Sequence, residues 1–362
     1  MKRITCPASL LALLLLISVP SSNLSAQESP DPLRAALARR IDDAKIGTGV
    51  VVGLLTPEGR SFAAYGRASA EGTDVTADTV FEIGSVTKVF TSFLLADMVE
   101  RGEVGLNDPV QKYLPASVNV PSRRGKQISL VDLATHSSGL PRDSVPVDLE
   151  SDQNPYETYS ASELYAFLGS YRLESDPGSK IEYSNVGFGL LGHALELRAG
   201  TSYEELLRRR ILEPLGMTST AITLTAEQRS RRATGHNPKR VPVAHWTGIV
   251  IVPTGGINST ATDMLKFAAA LLDPKNPMSK VFARMTSVKR RIDSRSQQGL
   301  GWGIFRLGGN DLVGHSGGTF GFETRFVVDT TRKRAVIAWI NAGRGEGVSD
   351  LAGLALNRAR LD

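Results

Sequence analysis

Apolar segments typical of β-strands lie near both ends of this chain, and helical patterns fill its middle. Residues 50–55 and 61–65 flank a turn that contains proline and glycine, a pattern that predicts a β-hairpin. Four further strand patterns follow Gly301, at residues 302–306, 312–315, 322–329 and 335–341. Strands at both ends with helices between them favour one sheet assembled from both chain ends.

The intervening residues carry helical periodicity interrupted by polar loops. Helices are predicted at residues 33–44, 85–100, 130–135, 162–170, 186–197, 203–211, 261–272 and 348–359. Two polar stretches, 141–159 and 228–245, are predicted to be long surface loops. The expected fold class is therefore α/β (α+β), an antiparallel sheet with flanking helices. Its α/β lobe would span about 27–106 and 294–362, and the inserted helical lobe about 107–293.

The first 26 residues have the pattern of a secretory signal peptide. Lys2 and Arg3 precede an apolar run at residues 10–19, and small residues end at Ala26. This run is too short to cross a bilayer as a helix, so a retained membrane anchor is the weaker alternative. Cys6, the only cysteine, lies inside the leader, so residues 27–362 would contain no disulfide. We expect a periplasmic or secreted protein with no stable membrane span.

The charge of the chain gives no support for a nucleic-acid partner. The formal net charge is +5, and loss of Lys2 and Arg3 with the leader lowers it by two. The basic clusters at 208–210 and 231–232 are short and lack interleaved aromatic residues, which single-strand binders use. We expect a monomer that acts on small molecules and binds no nucleic acid.

Ser85 stands three residues before Lys88, at the start of a strongly helical segment. Positions three apart on a helix share a face, so the amine can reach the hydroxyl. A lysine takes a serine proton only when its pKa falls well below about 10.4. Apolar residues at helical spacing predict burial, which would lower that pKa: Val86, Val89, Phe90, Phe93, Leu94 and Met98. The alternative is a solvated helix start with Ser85 as N-cap.

Two later segments carry polar groups that could serve the same site. Tyr183 and Asn185 precede a glycine-rich helix start. Residues 314–318, Gly-His-Ser-Gly-Gly, follow a strand, and their glycines would allow a ligand close to the backbone. Taken singly, Tyr183 fits a half-buried aromatic, Asn185 a helix cap and residues 314–318 a tight turn.

Together the three segments resemble, in order and approximate spacing, the motifs of the penicillin-recognising serine hydrolases. The resemblance is to the branch that holds class C β-lactamases, serine D-Ala-D-Ala carboxypeptidases and related esterases. It covers about residues 33–345 and extends to four further stretches, at 133–141, 213–217, 255–260 and 301–303. It implies a β-lactamase/transpeptidase-like fold.

The resemblance also implies a role for each motif residue. Ser85 would be the acylated nucleophile, and Lys88 would accept its proton or lower the pKa of Tyr183 as a cation. Tyr183 would pass the proton to the leaving group and later activate the deacylating water. Asn185 would hydrogen-bond the substrate amide. Backbone N–H groups of Ser85 and Gly318 would form the oxyanion hole.

The third motif departs from that of many relatives, which carry lysine where this chain has His315. Lysine would hold a fixed charge for the substrate carboxylate, whereas histidine, with a pKa of about 6.5, is mostly neutral at pH 7. His-Ser-Gly resembles some D-Ala peptidases and esterases of this branch. The substrate-binding set would be His315, Ser316, Gly317 and Gly318. Arg325 is either a replacement charge or an ordinary exposed strand arginine.

We therefore expect an exported serine hydrolase that needs no cofactor. Its substrate would be a β-lactam, or alternatively a D-Ala-terminated peptide or a small ester. A non-catalytic β-lactam-binding module would be favoured by loss of Lys88 or Tyr183, and both are present. Residues 314–318 also fit the G-x-S-x-G elbow of α/β-hydrolases, but none of the five histidines follows Ser316. The histidines fall at no metal-ligand spacing.

Overall fold

An eight-stranded antiparallel sheet joins the two ends of the chain. The computed structural model describes residues 31–145, 156–248, 250–307, 309–343 and 347–361, so the predicted signal peptide lies outside the described residues. Pro32–Asp362 form one compact unit. The boundaries of the two lobes at about 107 and 294 stay a prediction.

The strands of the large sheet come from both ends of the chain, as predicted. The large sheet holds eight of the strands in the described residues, β1, β2 and β7 to β12, while β3 pairs with β6 and β4 with β5. The strands are β1 (Gly49–Thr56), β2 (Gly59–Gly66), β3 (Phe81–Glu82), β4 (Ser122–Arg123), β5 (Lys126–Gln127), β6 (Asn258–Ser259), β7 (Arg290–Arg291), β8 (Ser296–Gln298), β9 (Gly303–Leu307), β10 (Asn310–Gly318), β11 (Glu323–Asp329) and β12 (Arg334–Ile340). Their order in the sheet is β2-β1-β12-β11-β10-β9-β8-β7. Val50 of β1 lies opposite Ile340 of β12, so the first and last strands form one ladder.

Helices cover the sheet and form the middle of the chain. They are α1 (Pro32–Ala38), α2 (Thr87–Glu100), α3 (Leu130–Ala134), α4 (Ala161–Ser170), α5 (Asn185–Ala199), α6 (Tyr203–Leu207), α7 (Glu213–Leu215), α8 (Ala226–Ser230), α9 (Val252–Gly255), α10 (Ala261–Leu272), α11 (Met278–Ser287) and α12 (Ser349–Leu356). The π-helical turns Arg39–Asp43 and Arg208–Leu212 extend α1 and α6. The sequence analysis missed α11, whose buried face packs on α2 and α10.

Helix α2 lies at the centre of the molecule, in contact with α5, α9 and α11. Every residue from Thr87 to Met98 is buried, polar ones included. Phe90 stacks on Phe267 of α10 with ring centroids 4.5 Å apart. A helix buried on all faces has little freedom to shift, so side chains at its N-terminal end are held firmly.

The prediction of a surface loop at residues 228–245 is wrong in part. Gln228 belongs to α8 and is buried, and His236 is buried at the edge of the sheet. The backbone N–H of His236 donates to the carbonyl oxygens of Gly321 and Asn341. Polar composition misled the prediction because buried polar groups with hydrogen-bond partners look like loop residues in a sequence. The other predicted loop lies partly outside the described residues, at 146–155.

Asn341 joins this segment to the sheet. Its side chain is fully buried, and its Oδ1 accepts from the backbone N–H of Thr48 at 2.9 Å and of Gly49 at 2.8 Å. Its Nδ2 lies 2.7 Å from Thr48 Oγ1, 3.1 Å from the Ala68 oxygen and 3.0 Å from the Thr234 oxygen. One amide therefore satisfies groups from three separate segments.

We predict that Asn341→Ala lowers the free energy of unfolding by about 3 to 5 kcal/mol, because buried backbone groups lose their partners. Urea denaturation followed by circular dichroism measures the change. Asn357→Ala is the matched control, since Asn357 is exposed and its loss should change stability by less than about 0.5 kcal/mol. Equal effects of the two substitutions would contradict the assigned role of Asn341.

Candidate active site

Ser85 lies in the single helical turn Gly84–Val86 that leads into α2, and this turn packs against the end of β10. Two glycines permit the contact. Gly84 has a φ of +49°, and a Cβ there would lie 2.7 Å from the Gly318 nitrogen. A Cβ on Gly317 would collide with the Ile83 carbonyl oxygen. Larger side chains would separate turn and strand, so these glycines set Ser85 beside the third motif.

Lys88 is completely buried beside Ser85. Its Nζ lies 3.2 Å from Ser85 Oγ, 2.8 Å from Asn185 Oδ1 and 2.9 Å from the Thr254 carbonyl oxygen. Burial lowers the pKa of Lys88 well below its ordinary value, and the cation of Arg142 lowers it further. The burial expected from the apolar spacing of α2 is present. The alternative role of Ser85 as a side-chain N-cap is wrong, because its side chain caps neither the turn nor α2.

A neutral amine fits the three partners of Lys88. It has two N–H donors and one lone pair. The Thr254 carbonyl can only accept, and so can Asn185 Oδ1, whose orientation is fixed because Asn185 Nδ2 donates to Asp143 Oδ1 at 2.8 Å. These acceptors take both N–H groups. The lone pair of Lys88 is then left for the proton of Ser85.

The hydroxyl of Tyr183 lies close to the Ser85 side chain. Its ring stacks on His136 with centroids 4.3 Å apart, and Lys88 Nζ lies 4.9 Å from its centroid. Burial raises the pKa of Tyr183 to about 12, so the phenol keeps its proton at neutral pH. The environment therefore shifts the pKa of Lys88 down and that of Tyr183 up, which separates a base from an acid.

His136 was not identified as a site residue from the sequence. Its φ of 55° is unusual for a residue other than glycine, and its Nδ1 accepts from the Ser184 backbone N–H at 3.1 Å. Ser184 itself caps α5, since its Oγ accepts from the Gly187 N–H at 2.9 Å. The alternative role of Asn185 as a helix cap is therefore wrong. His136 and Ser184 together hold Tyr183 and Asn185 in place.

Arg142, Asp143 and Tyr156 also border the site, and the sequence analysis placed them only in a polar loop. The guanidinium carbon of Arg142 lies 5.0 Å from the centroid of the Tyr183 ring. Asp143 Oδ1 accepts from the Tyr156 hydroxyl at 2.6 Å as well as from Asn185. Arg142 therefore supplies positive charge near Tyr183, and Asp143 orients Asn185.

The third motif contributes a neutral side chain rather than a cation. Burial lowers the pKa of His315 below its ordinary value. His315 Nδ1 lies 2.6 Å from the Ser316 carbonyl oxygen, which can only accept, so Nδ1 carries the proton and Nε2 has a free lone pair. Ser316 lies within β10, opposite Arg325 of β11. No strand-elbow-helix surrounds Ser316, which argues against the α/β-hydrolase alternative.

Arg325 extends its side chain along the same strands. Its Nη1 donates to Ser316 Oγ at 2.6 Å, and the residue is half-buried at the wall of the cleft. The sequence left two roles open for Arg325. An ordinary exposed strand arginine fits this half-buried position less well than a charge directed at the cleft. A carboxylate bound beside Ser316 would meet this guanidinium.

The cleft measures about 870 Å³, which is within the range of about 300 to 1,000 Å³ that is usual for small-molecule sites. Its lining includes most of the sequence-predicted set, namely Ser85, Tyr183, Asn185, His315, Ser316, Gly317 and Gly318. Lys88 lies beneath it. Tyr156, Trp246 and Phe320 form an aromatic wall, with ring centroids 5.8 Å apart for Tyr156–Trp246 and 5.4 Å apart for Trp246–Phe320.

Within the described ranges, no group of three or more His, Cys, Asp or Glu side chains could hold a metal ion. The described helices include none that is long and apolar enough to span a bilayer.

The chain matches the protein family described as Beta-lactamase over residues 33–359. It belongs to this family. The resemblance to the penicillin-recognising serine hydrolases, predicted from the three motifs, is thereby confirmed. A solved β-lactamase/D-alanine carboxypeptidase from Yersinia pestis, complexed with citrate, has a TM-score of 0.76 and 25% sequence identity, and the match covers 90% of this chain and 95% of that one. The predicted fold is confirmed with it.

Two relatives in Escherichia coli (strain K12) have different names. The D-alanyl-D-alanine-carboxypeptidase/endopeptidase AmpH is 34% identical over 226 residues, which is 61% of this chain and 56% of AmpH. A β-lactamase is 29% identical over 294 residues, 80% of this chain and 74% of that relative. The match to AmpH thus spans little more than half of its length.

We predict that Arg142→Gln moves the acidic limb of the pH profile of acylation to higher pH. Without this cation the pKa of Lys88 rises, so the amine stays protonated up to a higher pH. While it is protonated it cannot take the Ser85 proton. Arg142 is exposed, so solvent screens its charge to a contribution of about 1 kcal/mol, and the rate on this limb should fall roughly fivefold. The measurement is the acylation rate with a chromogenic β-lactam as a function of pH.

Arg142→Lys keeps the charge and should leave the limb near its original position. Arg124→Gln removes an exposed arginine outside the cleft and serves as the matched control. A loss of rate in Arg142→Gln that is equal at every pH, with an unmoved limb, would show that Arg142 acts only through structure.

Proposed function

We propose that this protein is a serine hydrolase that opens β-lactams through an acyl-enzyme on Ser85. The observation that carries the proposal is the buried Lys88 amine, whose Nζ lies within hydrogen-bond distance of Ser85 Oγ and of two groups that can only accept, Asn185 Oδ1 and the Thr254 carbonyl oxygen. Membership of the β-lactamase family supports the substrate class.

In the acylation step, Lys88 takes the proton of Ser85 while Oγ attacks the β-lactam carbonyl carbon. The carbonyl oxygen becomes an oxyanion, for which we assign the backbone N–H groups of Ser85 and Gly318 as donors. Loss of a donor of this kind costs about 3 to 4 kcal/mol. As the C–N bond breaks, the phenol of Tyr183 gives its proton to the leaving nitrogen, and the proton on Lys88 restores the phenol.

Deacylation uses the same two groups with water as nucleophile. The Lys88–Tyr183 pair accepts the proton of the attacking water, and the Ser85 oxygen leaves with a proton from that pair. The two groups titrate together, so the pair rather than one residue is the base of this step. The rate depends on how a water molecule reaches the ester carbonyl.

Substrate recognition is assigned to the wall of the cleft. Arg325 binds the carboxylate of the substrate, a role that His315 does not fill because its ring is neutral. Asn185 donates to or accepts from the substrate amide next to the reacting carbonyl. The aromatic wall of Tyr156, Trp246 and Phe320 fits an apolar acyl side chain.

A D-Ala-D-Ala carboxypeptidase is the second candidate. It is favoured by His315 in place of lysine and by the 34% identity to AmpH. Both reactions pass through an acyl-enzyme on Ser85, and they differ in which acyl group water removes quickly. Each 1.36 kcal/mol in the deacylation barrier changes the rate tenfold, so a few kcal/mol separate the two activities. Small esters would follow the same path.

We also propose that residues 1–26 direct export and that the mature enzyme acts outside the cytoplasm as a monomer. The support for export is the basic start, apolar run and small residues of the leader. No step of the proposed reaction needs a cofactor, a metal ion or a nucleic acid.

We predict that purified protein mixed with benzylpenicillin gains the mass of the antibiotic, and that Ser85→Ala abolishes the gain because the acylated oxygen is absent. Intact mass spectrometry over time, with β-lactam absorbance in parallel, measures both steps. Ser316→Ala is the matched control: it removes a second serine hydroxyl of the cleft, and acylation should persist with weaker binding.

The time course separates the two candidates. A transient adduct with rapid loss of absorbance indicates a β-lactamase, and a persistent adduct with little turnover indicates a D-Ala peptidase. Neither adduct nor turnover, or an adduct that survives Ser85→Ala and vanishes in Ser316→Ala, would contradict the proposal.

We predict that Arg325→Gln lowers kcat/KM for a carboxylate-bearing β-lactam by about 10- to 100-fold, because a charged hydrogen bond contributes about 1.5 to 3 kcal/mol. A chromogenic ester without a carboxylate should lose less than about twofold. Arg306→Gln, at an exposed arginine outside this cleft, is the control. Equal losses on both substrates would mean that Arg325 supports the strands instead of binding the carboxylate.

A further inference from the structure

The large sheet has two ends, and only one of them carries the cleft. Antiparallel hairpin turns lie at the opposite end, between β7 and β8, between β9 and β10, and between β11 and β12. We call this region the distal end. Along β10, His315 is five residues from Asn310, or about 17 Å at about 3.4 Å per residue. The distal end is therefore separate from the groups that react.

Two aliphatic side chains project from neighbouring turns of the distal end. Leu307 is 66% exposed and Ile292 is 50% exposed, the highest values among the large apolar residues of the described chain. Ile292 lies in the turn between β7 and β8, where its N–H donates to the Ser296 carbonyl oxygen, and Leu307 ends β9 on the other side of β8. Single exposed aliphatic residues are common, but two at the same end of the sheet indicate a contact surface.

A groove of about 760 Å³ opens beside these turns. Its floor is apolar and includes Leu271, Leu272, Phe282, Ile304 and Val313. Cations surround it: Lys289, Arg291, Arg295, Arg306 and Lys333. The lining therefore combines an apolar floor with positive charge, the pattern of a site for an anionic amphiphile.

Most of this positive charge is not neutralised within the protein. Of the two carboxylates in the groove, Asp311 pairs with Arg306 at 3.4 Å. Asp293 accepts from backbone N–H groups of its own turn, at 2.6 Å from Arg295 and 2.8 Å from Ser296. Among the described residues, the side chains of Lys289, Arg295 and Lys333 form no ion pair, and all three are exposed.

We propose that the distal end docks on a phospholipid surface that carries negative charge. Leu307 and Ile292 enter the headgroup region, and Lys289, Arg295 and Lys333 contact the lipid phosphates. A soluble anion would use the cations but would gain nothing from the two exposed aliphatic side chains. Each basic residue near an anionic leaflet strengthens attachment, and buried aliphatic area adds to it.

This orientation keeps the cleft open. Ser85 lies at the other end of the strands, so a docked molecule presents its site to the solvent above the lipid. The proposal rests on residues of the distal end and does not depend on which substrate Ser85 attacks. Attachment would be peripheral and reversible, since it uses side chains of turns and no membrane-spanning helix.

Co-sedimentation of the purified protein with vesicles tests the proposal. We expect binding to vesicles of phosphatidylcholine with phosphatidylglycerol, little binding to phosphatidylcholine alone, and weakening at high salt. The triple substitution Lys289→Gln, Arg295→Gln, Lys333→Gln should lower the partition coefficient about 100-fold, at roughly fivefold per cation. Lys45→Gln, Arg124→Gln, Lys239→Gln removes the same charge from exposed positions outside the groove and should have a small effect.

Ile292→Ser with Leu307→Ser separates a lipid surface from other anionic partners. This variant keeps every cation, and its partition coefficient should fall about tenfold if the aliphatic side chains enter the headgroup region. Hydrolysis of a small substrate should stay unchanged in all these variants, which shows that they fold.

Three outcomes would overturn the proposal. Equal losses of vesicle binding in the two triple variants would mean that the attraction comes from the general basic charge of the chain. Unchanged binding by the Ile292→Ser, Leu307→Ser variant would mean that the aliphatic side chains do not enter the lipid. Any anionic polymer would then be enough for binding. Absence of wild-type binding to anionic vesicles at low salt would mean that this end docks on no lipid surface, and a protein partner would then be the remaining occupant.

Discussion

The structure depends on the burial of one amine. Lys88 lies without solvent contact between Asn185 Oδ1, the Thr254 carbonyl and Ser85 Oγ, and a charged ammonium in this place would lose its hydration. The amine therefore favours its neutral form, and its partners leave the lone pair for Ser85. The pKa of Tyr183 shifts in the opposite direction in the same surroundings, so an acid and a base are held side by side.

The fold keeps the Lys88 amine out of contact with water and next to the Ser85 hydroxyl. Helix α2 is buried on all faces, and the sheet that covers it joins both ends of the chain. Gly84 and Gly317 allow β10 to approach the turn that carries Ser85. His136, through Ser184, fixes the segment with Tyr183, and Asp143 fixes the amide of Asn185. Positive charge near the site comes from Arg142 and Arg325, because His315 is neutral.

Much of the fold and the motif residues could be predicted from the sequence, because periodicity marks strands and helices and three short motifs mark the site. What escaped prediction depends on long-range contacts. Asp143 becomes a site residue only through Asn185, which is 42 positions away, and a polar loop pattern does not show that pairing. Residues 228–245 look like a loop because the partners of a buried group such as His236 lie about 85 to 105 positions away in the chain, at Gly321 and Asn341. Helix α11 was missed although its buried face has helical spacing.

The most direct test of the central claim is the ionisation of Lys88 in the resting enzyme, followed by nuclear magnetic resonance of protein labelled at the lysine ε-carbons. Lys88→Arg identifies the signal of Lys88 by its disappearance. The account predicts that this lysine is neutral at pH 7 and titrates below all the others. A Lys88 signal that stays cationic through pH 7 and titrates with the surface lysines would contradict it.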